Sequence, residues 1–152
     1  GRGRQGVTRF RVGRRSRRSP LQPNFVILID SSAWIEFLRD TGSPTCLRVD
    51  ELSGADTAVC EPVWMEILAG ARDEQHLADL RRLLARATTL TTQSIDYEEA
   101  AALYRSCRRQ GEIPRKLIDC LIAAIAIRSH VPILHADADF DVLSRNTALM
   151  TD

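Results

Sequence analysis

Apolar residues run unbroken through positions 25–29, Phe-Val-Ile-Leu-Ile, a stretch of strand length that ends at Asp30. A strand covered on both faces has this pattern. Ser31 or Ser32 then caps a helix over 33–38, which stops at the turn residues 40–44. A second strand is expected at 57–60. The helix after it opens at Pro62 and stops at Gly70. Residues 73–87 form an amphipathic helix, with Leu77, Leu80, Leu83 and Leu84 on one side and charge on the other. A short third strand follows at 88–90, and Ser94 caps a helix over 95–110 that closes at Gly111. The pattern ends with a helix between Lys116 and Arg128, a fourth strand at 131–134, an acid-rich turn at 135–140, a short helix and an edge strand near 148–150. Strands alternating with helices place the chain in the α/β class, a sandwich with a mainly parallel sheet.

One helix breaks the rule that charge stays on a wet face. Residues 117–127 read Leu-Ile-Asp-Cys-Leu-Ile-Ala-Ala-Ile-Ala-Ile, apolar on every side, and Asp119 is the one strongly acidic side chain among them. The helix dipole favours a carboxylate in the first turn by only ~0.3–1 kcal/mol, whereas burying an unpaired charge costs several kcal/mol. Asp119 therefore needs a basic partner, backbone donors or a metal ion.

Composition bounds the possibilities. A chain of 152 residues with 44% hydrophobic and 27% charged content fits one domain. Its formal net charge of +1 hides an asymmetry, because residues 1–24 carry eight arginines and no acid, while the remainder holds 13 basic and 20 acidic residues. Residues 1–24 thus read as a basic, disordered tail or upstream extension, with a nucleic-acid-binding arm as the lesser reading, and residues 25–152 as the domain. Cys46, Cys60, Cys107 and Cys120 form no CxxC pair, which argues against a structural zinc site and fits a reducing cytoplasm. No segment reaches the roughly 18–20 apolar residues of a membrane span, and no cleavable secretory signal is evident.

In open parallel sheets ligands gather beyond the carboxyl ends of strands, and two acids fall there: Asp30 after the first strand and Asp137 after the fourth. Glu66 lies within an otherwise apolar helix that follows a strand, and Asp119 precedes the fourth strand. Taken singly, a helix cap accounts for Asp30, a solvated face for Glu66 and an ordinary turn for Asp137, Asp139 and Asp141. Four converging carboxylates repel one another. They either take up protons, which predicts a raised pKa for Asp119, or hold a hard cation such as Mg²⁺ or Mn²⁺.

These segments resemble the PIN-domain ribonucleases, and more narrowly the VapC-type toxins of bacterial VapBC toxin-antitoxin pairs. The resemblance rests on Ile-Leu-Ile-Asp-Ser-Ser-Ala-Trp-Ile-Glu at 27–36, Glu-Pro-Val-Trp-Met-Glu-Ile-Leu-Ala-Gly-Ala-Arg at 61–72, Leu-Ile-Asp-Cys-Leu-Ile-Ala-Ala at 117–124 and Leu-His-Ala-Asp-Ala-Asp-Phe-Asp at 134–141. It implies a three-layer α/β/α sandwich with about five strands, a homodimer, an RNA substrate and inhibition by a small VapB-type antitoxin. It also implies a metal site formed by Asp30, Glu66, Asp119 and Asp137, supported by the Ser32 hydroxyl, with Asp139 as an auxiliary acid. Cys120 departs mildly from the family pattern, and its thiol is expected to be sensitive to oxidation.

The chemistry expected is Mg²⁺- or Mn²⁺-dependent hydrolysis of RNA phosphodiester bonds, with Asp30, Asp119 and Asp137 as ligands and Glu66 acting through water or as general base. Because the domain is net acidic, RNA must meet a local basic rim, for which Arg115 and Lys116 are the first candidates and Arg39 and Arg72 the next. His76, His130 and His135 are weak catalytic candidates, and Trp34 and Trp64 fall at core-like positions. Two rivals remain. A phosphohydrolase with an aspartyl nucleophile usually needs a second acid two residues after the first, where this chain has Ser32, and a PIN-like binding module without catalysis would not need all four acids.

Overall fold

Strand β1 (Ile27–Ile29) lies inside a parallel sheet, between β2 (Thr57–Val59) and β4 (Ile133–Leu134), with β3 (Thr88–Thr89) beyond β2. This is a computed structural model that describes residues 25–152, so the expectation for residues 1–24 lies outside the described residues. Side chains on a strand alternate between faces, yet Ile27, Leu28 and Ile29 are 1%, 0% and 0% exposed. Both faces of β1 are therefore covered, as a three-layer sandwich requires.

The layers are built from α1 (Ser31–Leu38), α2 (Pro44–Glu51), α3 (Glu61–Ala69), α4 (Glu74–Leu84), α5 (Ser94–Arg109), α6 (Leu117–Arg128) and α7 (Ala138–Asn146). Helix α1 packs on α2 and α3, while α5, α6 and α7 pack on one another. In α6, Ile122 to Ala126 are all buried, which is why that helix shows no polar stripe. Among the described residues no helix is long and apolar enough to cross a membrane.

Three elements differ from the sequence reading, one of them a single 3-10 turn at Gly54–Asp56 just before β2. Helix α2 was not expected, because its mean character is polar and only Cys46 and Val49 are buried. Its start was nevertheless encoded: the Ser43 side chain accepts from Cys46 N at 3.0 Å, and Pro44 occupies the first turn. The expected edge strand at 148–150 shrinks to one parallel bridge between Ile133 and Thr151, flanked by Ile133 N to Met150 O at 3.0 Å and Asp152 N to Ile133 O at 2.9 Å. The sheet thus has four strands, with this bridge in the place of a fifth.

What matters for function is the order β3-β2-β1-β4. The chain moves to one side of β1 to make β2 and β3, then returns to the other side to make β4. The crevice between the carboxyl ends of β1 and β4 is a topological switch point.

Candidate active site

Asp30 and Asp137 stand at that switch point, each capping a helix. Asp30 follows β1 and caps α1, its Oδ2 accepting from Ser32 N at 2.9 Å and from Ser32 Oγ at 2.5 Å. Ser32 Oγ also accepts from Ala136 N at 3.0 Å, so one hydroxyl ties the end of β1 to the loop after β4. Asp137 caps α7: its Oδ1 accepts from Asp139 N and from Arg115 Nη2, each at 3.0 Å, and its Oδ2 from Lys116 Nζ at 2.7 Å. Asp119 enters from the first turn of α6, 2% exposed. Glu66 reaches in from α3, half-buried, and its Oε2 accepts from Ser31 Oγ at 2.8 Å.

The electrostatics of the cluster are uneven. Burial pushes the Asp119 carboxyl up to about 7, with Asp30 and Asp137 adding to the rise and Lys116 opposing it. Burial likewise raises Asp30 against the pull of Ser32, and raises Glu66 against the pull of Ser31. Asp137 goes the other way, because Asp139 N, Lys116 and Arg115 together outweigh its burial and hold it below the ordinary range. The raised pKa expected for Asp119 is thus present, and its physical cause is burial first and neighbouring carboxylates second.

Two oxygens in the cluster, Asp30 Oδ1 and Asp119 Oδ2, are buried and accept no hydrogen bond. Lys116 Nζ lies 3.4 Å from Asp119 Oδ2, an ion pair without hydrogen-bond alignment. Orphaned buried carboxylate oxygens are costly unless a cation completes them, and an all-oxygen donor set suits a hard divalent ion. Asp119, Asp137 and Asp139 each offer an oxygen within 4.8 Å of the others. Asp139, however, is already engaged: its Oδ2 accepts from Arg115 N at 2.8 Å and Lys116 N at 3.0 Å, and its Oδ1 from Arg115 Nε at 3.0 Å. Its hydrogen bonds hold the segment that carries both cations, while the buried carboxylate oxygens without a hydrogen bond belong to Asp30 and Asp119.

Arg115 and Lys116 therefore stand at the acids, whereas Arg39 and Arg72 do not join them. Arg39 caps the far end of α1 from Asp30, and the Arg72 guanidinium donates to His76 Nδ1 at 3.3 Å. His135 Nδ1 accepts from Asp137 N at 3.3 Å while its ring packs on Phe140, a supporting position. Trp34 is buried in the core and Trp64 packs against it. Ser31 was missed by sequence reasoning. Its signal was the Ser-Ser pair after Asp30: successive helical residues point about 100° apart, so one hydroxyl serves Asp30 and the other reaches α3.

The expected oxidation sensitivity of Cys120 is corrected by its surroundings. The residue is 0% exposed and burial pushes its thiol up to about 12, as it does for Cys60, so neither is available as a thiolate. Among the four buried cysteines, Cys60 and Cys120 should resist a disulfide reagent at pH 8 until the protein unfolds. Mass spectrometry after timed labelling would reveal any early adduct at Cys120, which would contradict this burial.

Comparison with known proteins agrees with this geometry. The PIN domain family matches residues 27–146. The chain is 48% identical over 128 residues, 82% of this chain and 96% of the relative, both to the VapC ribonuclease Mb1587 of Mycobacterium bovis and to ribonuclease VapC11 of Mycobacterium tuberculosis. Solved structures with the same fold include DNA-bound VapBC from Salmonella typhimurium, at TM-score 0.66 and 16% identity, covering 84% of this chain and 97% of that one. VapBC2 from Rickettsia felis, bound to a promoter DNA fragment, aligns at TM-score 0.67 and 16% identity, covering 84% of this chain and 98% of that one. With a family match spanning most of the described residues, and near-half identity over almost the full length of the mycobacterial relatives, the chain belongs to the PIN domain family and, within it, to the VapC ribonucleases.

Proposed function

We propose that this protein is the toxin of a type II toxin-antitoxin pair, an endoribonuclease that hydrolyses RNA phosphodiester bonds with a divalent ion held by Asp30, Asp119 and Asp137. The observation that carries the reading is the pair of buried, unbonded oxygens on Asp30 and Asp119 at the sheet's switch point. Mg²⁺ is the ion expected, with Mn²⁺ as its substitute. Held by these three carboxylates, such an ion would supply acidification of a water and neutralisation of charge at the attacked phosphate.

The chain's own groups supply the rest. Glu66, half-buried beside the acids and with its carboxyl raised above the ordinary range by burial, is placed as the general base that takes a proton from the attacking water, and Ser31 fixes its orientation. Ser32 holds Asp30 in place. Arg115 and Lys116 bring positive charge to the mouth of an otherwise acidic domain, where an RNA phosphate must approach. Asp139 locks the backbone of both cations.

The partner read for this toxin is a small VapB-type antitoxin. Ile35 and Leu38 on α1 and Met65 on α3 are exposed apolar residues on two helices that pack together, a surface such a partner would cover. The toxin is also read as a cytoplasmic homodimer, for which light scattering should give twice the chain mass.

The test is RNA cleavage. Purified protein incubated with structured RNAs should cut in Mg²⁺ or Mn²⁺, stop in chelator, and lose about 10²-fold or more of its rate in Asp30→Ala. Cleavage that survives in Asp30→Ala would remove this site from the reaction. Intact metal binding with no cleavage of any RNA would favour a binding module.

A further inference from the structure

Of the 21 basic residues in the chain, 20 are arginine and one is lysine, Lys116. That single ammonium sits among the carboxylates, 2.7 Å from Asp137 Oδ2 and 3.4 Å from Asp119 Oδ2. It spans two of the three acids read above as metal ligands. An ammonium is a compact point charge with rotatable donors on a flexible stem, whereas a guanidinium is a rigid fork that grips carboxylates edge-on. Of the two, the ammonium better imitates a small metal cation.

The neighbouring cation is built differently. Arg115 is fixed to Asp139 through both its backbone N at 2.8 Å and its Nε at 3.0 Å. Lys116 is anchored to Asp139 through its backbone alone, at 3.0 Å, while its side chain is 48% exposed. Its ammonium can therefore withdraw into water while its Cα stays in place. Lysine at this position combines a firm anchor with a movable charge.

We propose that Lys116 is a built-in counter-ion that competes with the divalent ion for Asp119 and Asp137 and is displaced when the ion binds. The proposal rests on the metal-site reading above and adds a regulatory consequence: the site is tuned to bind its ion less tightly than its three carboxylate ligands alone would. It also has the displaced ammonium arrive at the rim, where it can meet a phosphate.

The experiment titrates Mn²⁺ by calorimetry into chelator-treated wild type, Lys116→Met and, as a control for overall charge, Arg145→Met, whose guanidinium pairs with Glu112 instead of the cluster acids. Lys116→Met should bind Mn²⁺ about tenfold or more tightly than wild type, with less than about twofold change in Arg145→Met. Equal or weaker binding by Lys116→Met, or an equal gain in Arg145→Met, overturns the proposal. No binding by any of the three overturns the metal-site reading itself, and the proposal with it.

Wild type supplies a second readout if Lys116→Met folds poorly. Labelling with ¹⁵N-lysine gives one side-chain ammonium signal, since the chain has one lysine. That signal should move or broaden as Mg²⁺ is added in proportion to site occupancy. A signal unchanged at saturation, with metal binding confirmed by calorimetry, sinks displacement.

Discussion

Asp119→Asn is expected to melt several degrees above wild type in chelator at pH 8 and, assayed in Mg²⁺, to lose about 10²-fold or more of RNA cleavage. The reason is linkage. Asp119 carries its proton up to about pH 7 in the folded protein against an ordinary 3.8, because burial and the Asp30 and Asp137 charges disfavour the carboxylate more than Lys116 favours it. The folded state thus binds the proton more tightly than the unfolded chain. Stability from this group is fully present below about pH 4, declines as pH rises toward 7, and is gone above it. Three pH units correspond to an upper bound of about 4 kcal/mol, so a gain of roughly 1–3 kcal/mol for the neutral amide is reasonable. Calorimetry at pH 5 and pH 8 checks the sign: the advantage of the variant should shrink toward the acid end. A variant less stable than wild type at pH 8 would mean that Lys116 outweighs the burial cost. A gain in stability joined to a loss of activity is what a site strained for function predicts.

Arg128→Ala should destabilise the protein by about 3 kcal/mol, the low end for breaking a buried ion pair, since the arginine is itself 29% exposed. Its partner Asp96 is 1% exposed and receives a bidentate grip, Nε to Oδ1 at 2.7 Å and Nη2 to Oδ2 at 2.9 Å. Asp96 also accepts from Gln93 N at 2.7 Å, and Arg128 Nη2 donates to Thr91 O at 2.8 Å. The network joins the start of α5, the loop before it and the end of α6, so removing the arginine leaves a carboxylate in the interior with one donor. Burial alone would raise the Asp96 carboxyl, but Arg128 and Gln93 N pull it below the ordinary 3.8. The contribution is therefore present at neutral pH and lost as pH falls below about 4, through the depressed folded value. Urea unfolding should show the full deficit at pH 7 and a smaller one in acid. Adding Asp96→Asn to the Arg128 variant should recover part of the loss, and no recovery would locate the damage in packing.

The order of strands and helices was largely legible in the sequence, and so were the acids that the fold brings to one end of the sheet. Asp30 and Asp137 could be found because each lies beyond the carboxyl end of an apolar strand, Asp30 immediately after β1 and Asp137 three residues after β4, and Asp119 because nothing near it could keep a charge wet. Helix α2 was not visible because two buried residues in eight leave little periodicity, and the signal that existed, Ser43 before Pro44, resembles a turn as much as a cap. Asp139 could not be separated from its neighbours by spacing alone. Its hydrogen bonds go to the backbone of residues 24 and 23 positions earlier, a pairing that only the fold produces. Arg39 and Arg72 follow the acid-bearing motifs in sequence, but a helix carries its two ends apart, so nearness along the chain did not become nearness in space.

The position of β4 has a consequence for biosynthesis. Asp30 emerges early, but the strand that sets Asp137 beside it pairs with β1 on one side and Thr151 on the other. A chain still being translated has no complete acid cluster until residue 137 has left the ribosome and β4 has closed the sheet. On the function proposed above, RNA cleavage therefore cannot begin before β4 has paired with β1 and brought Asp137 to the other acids.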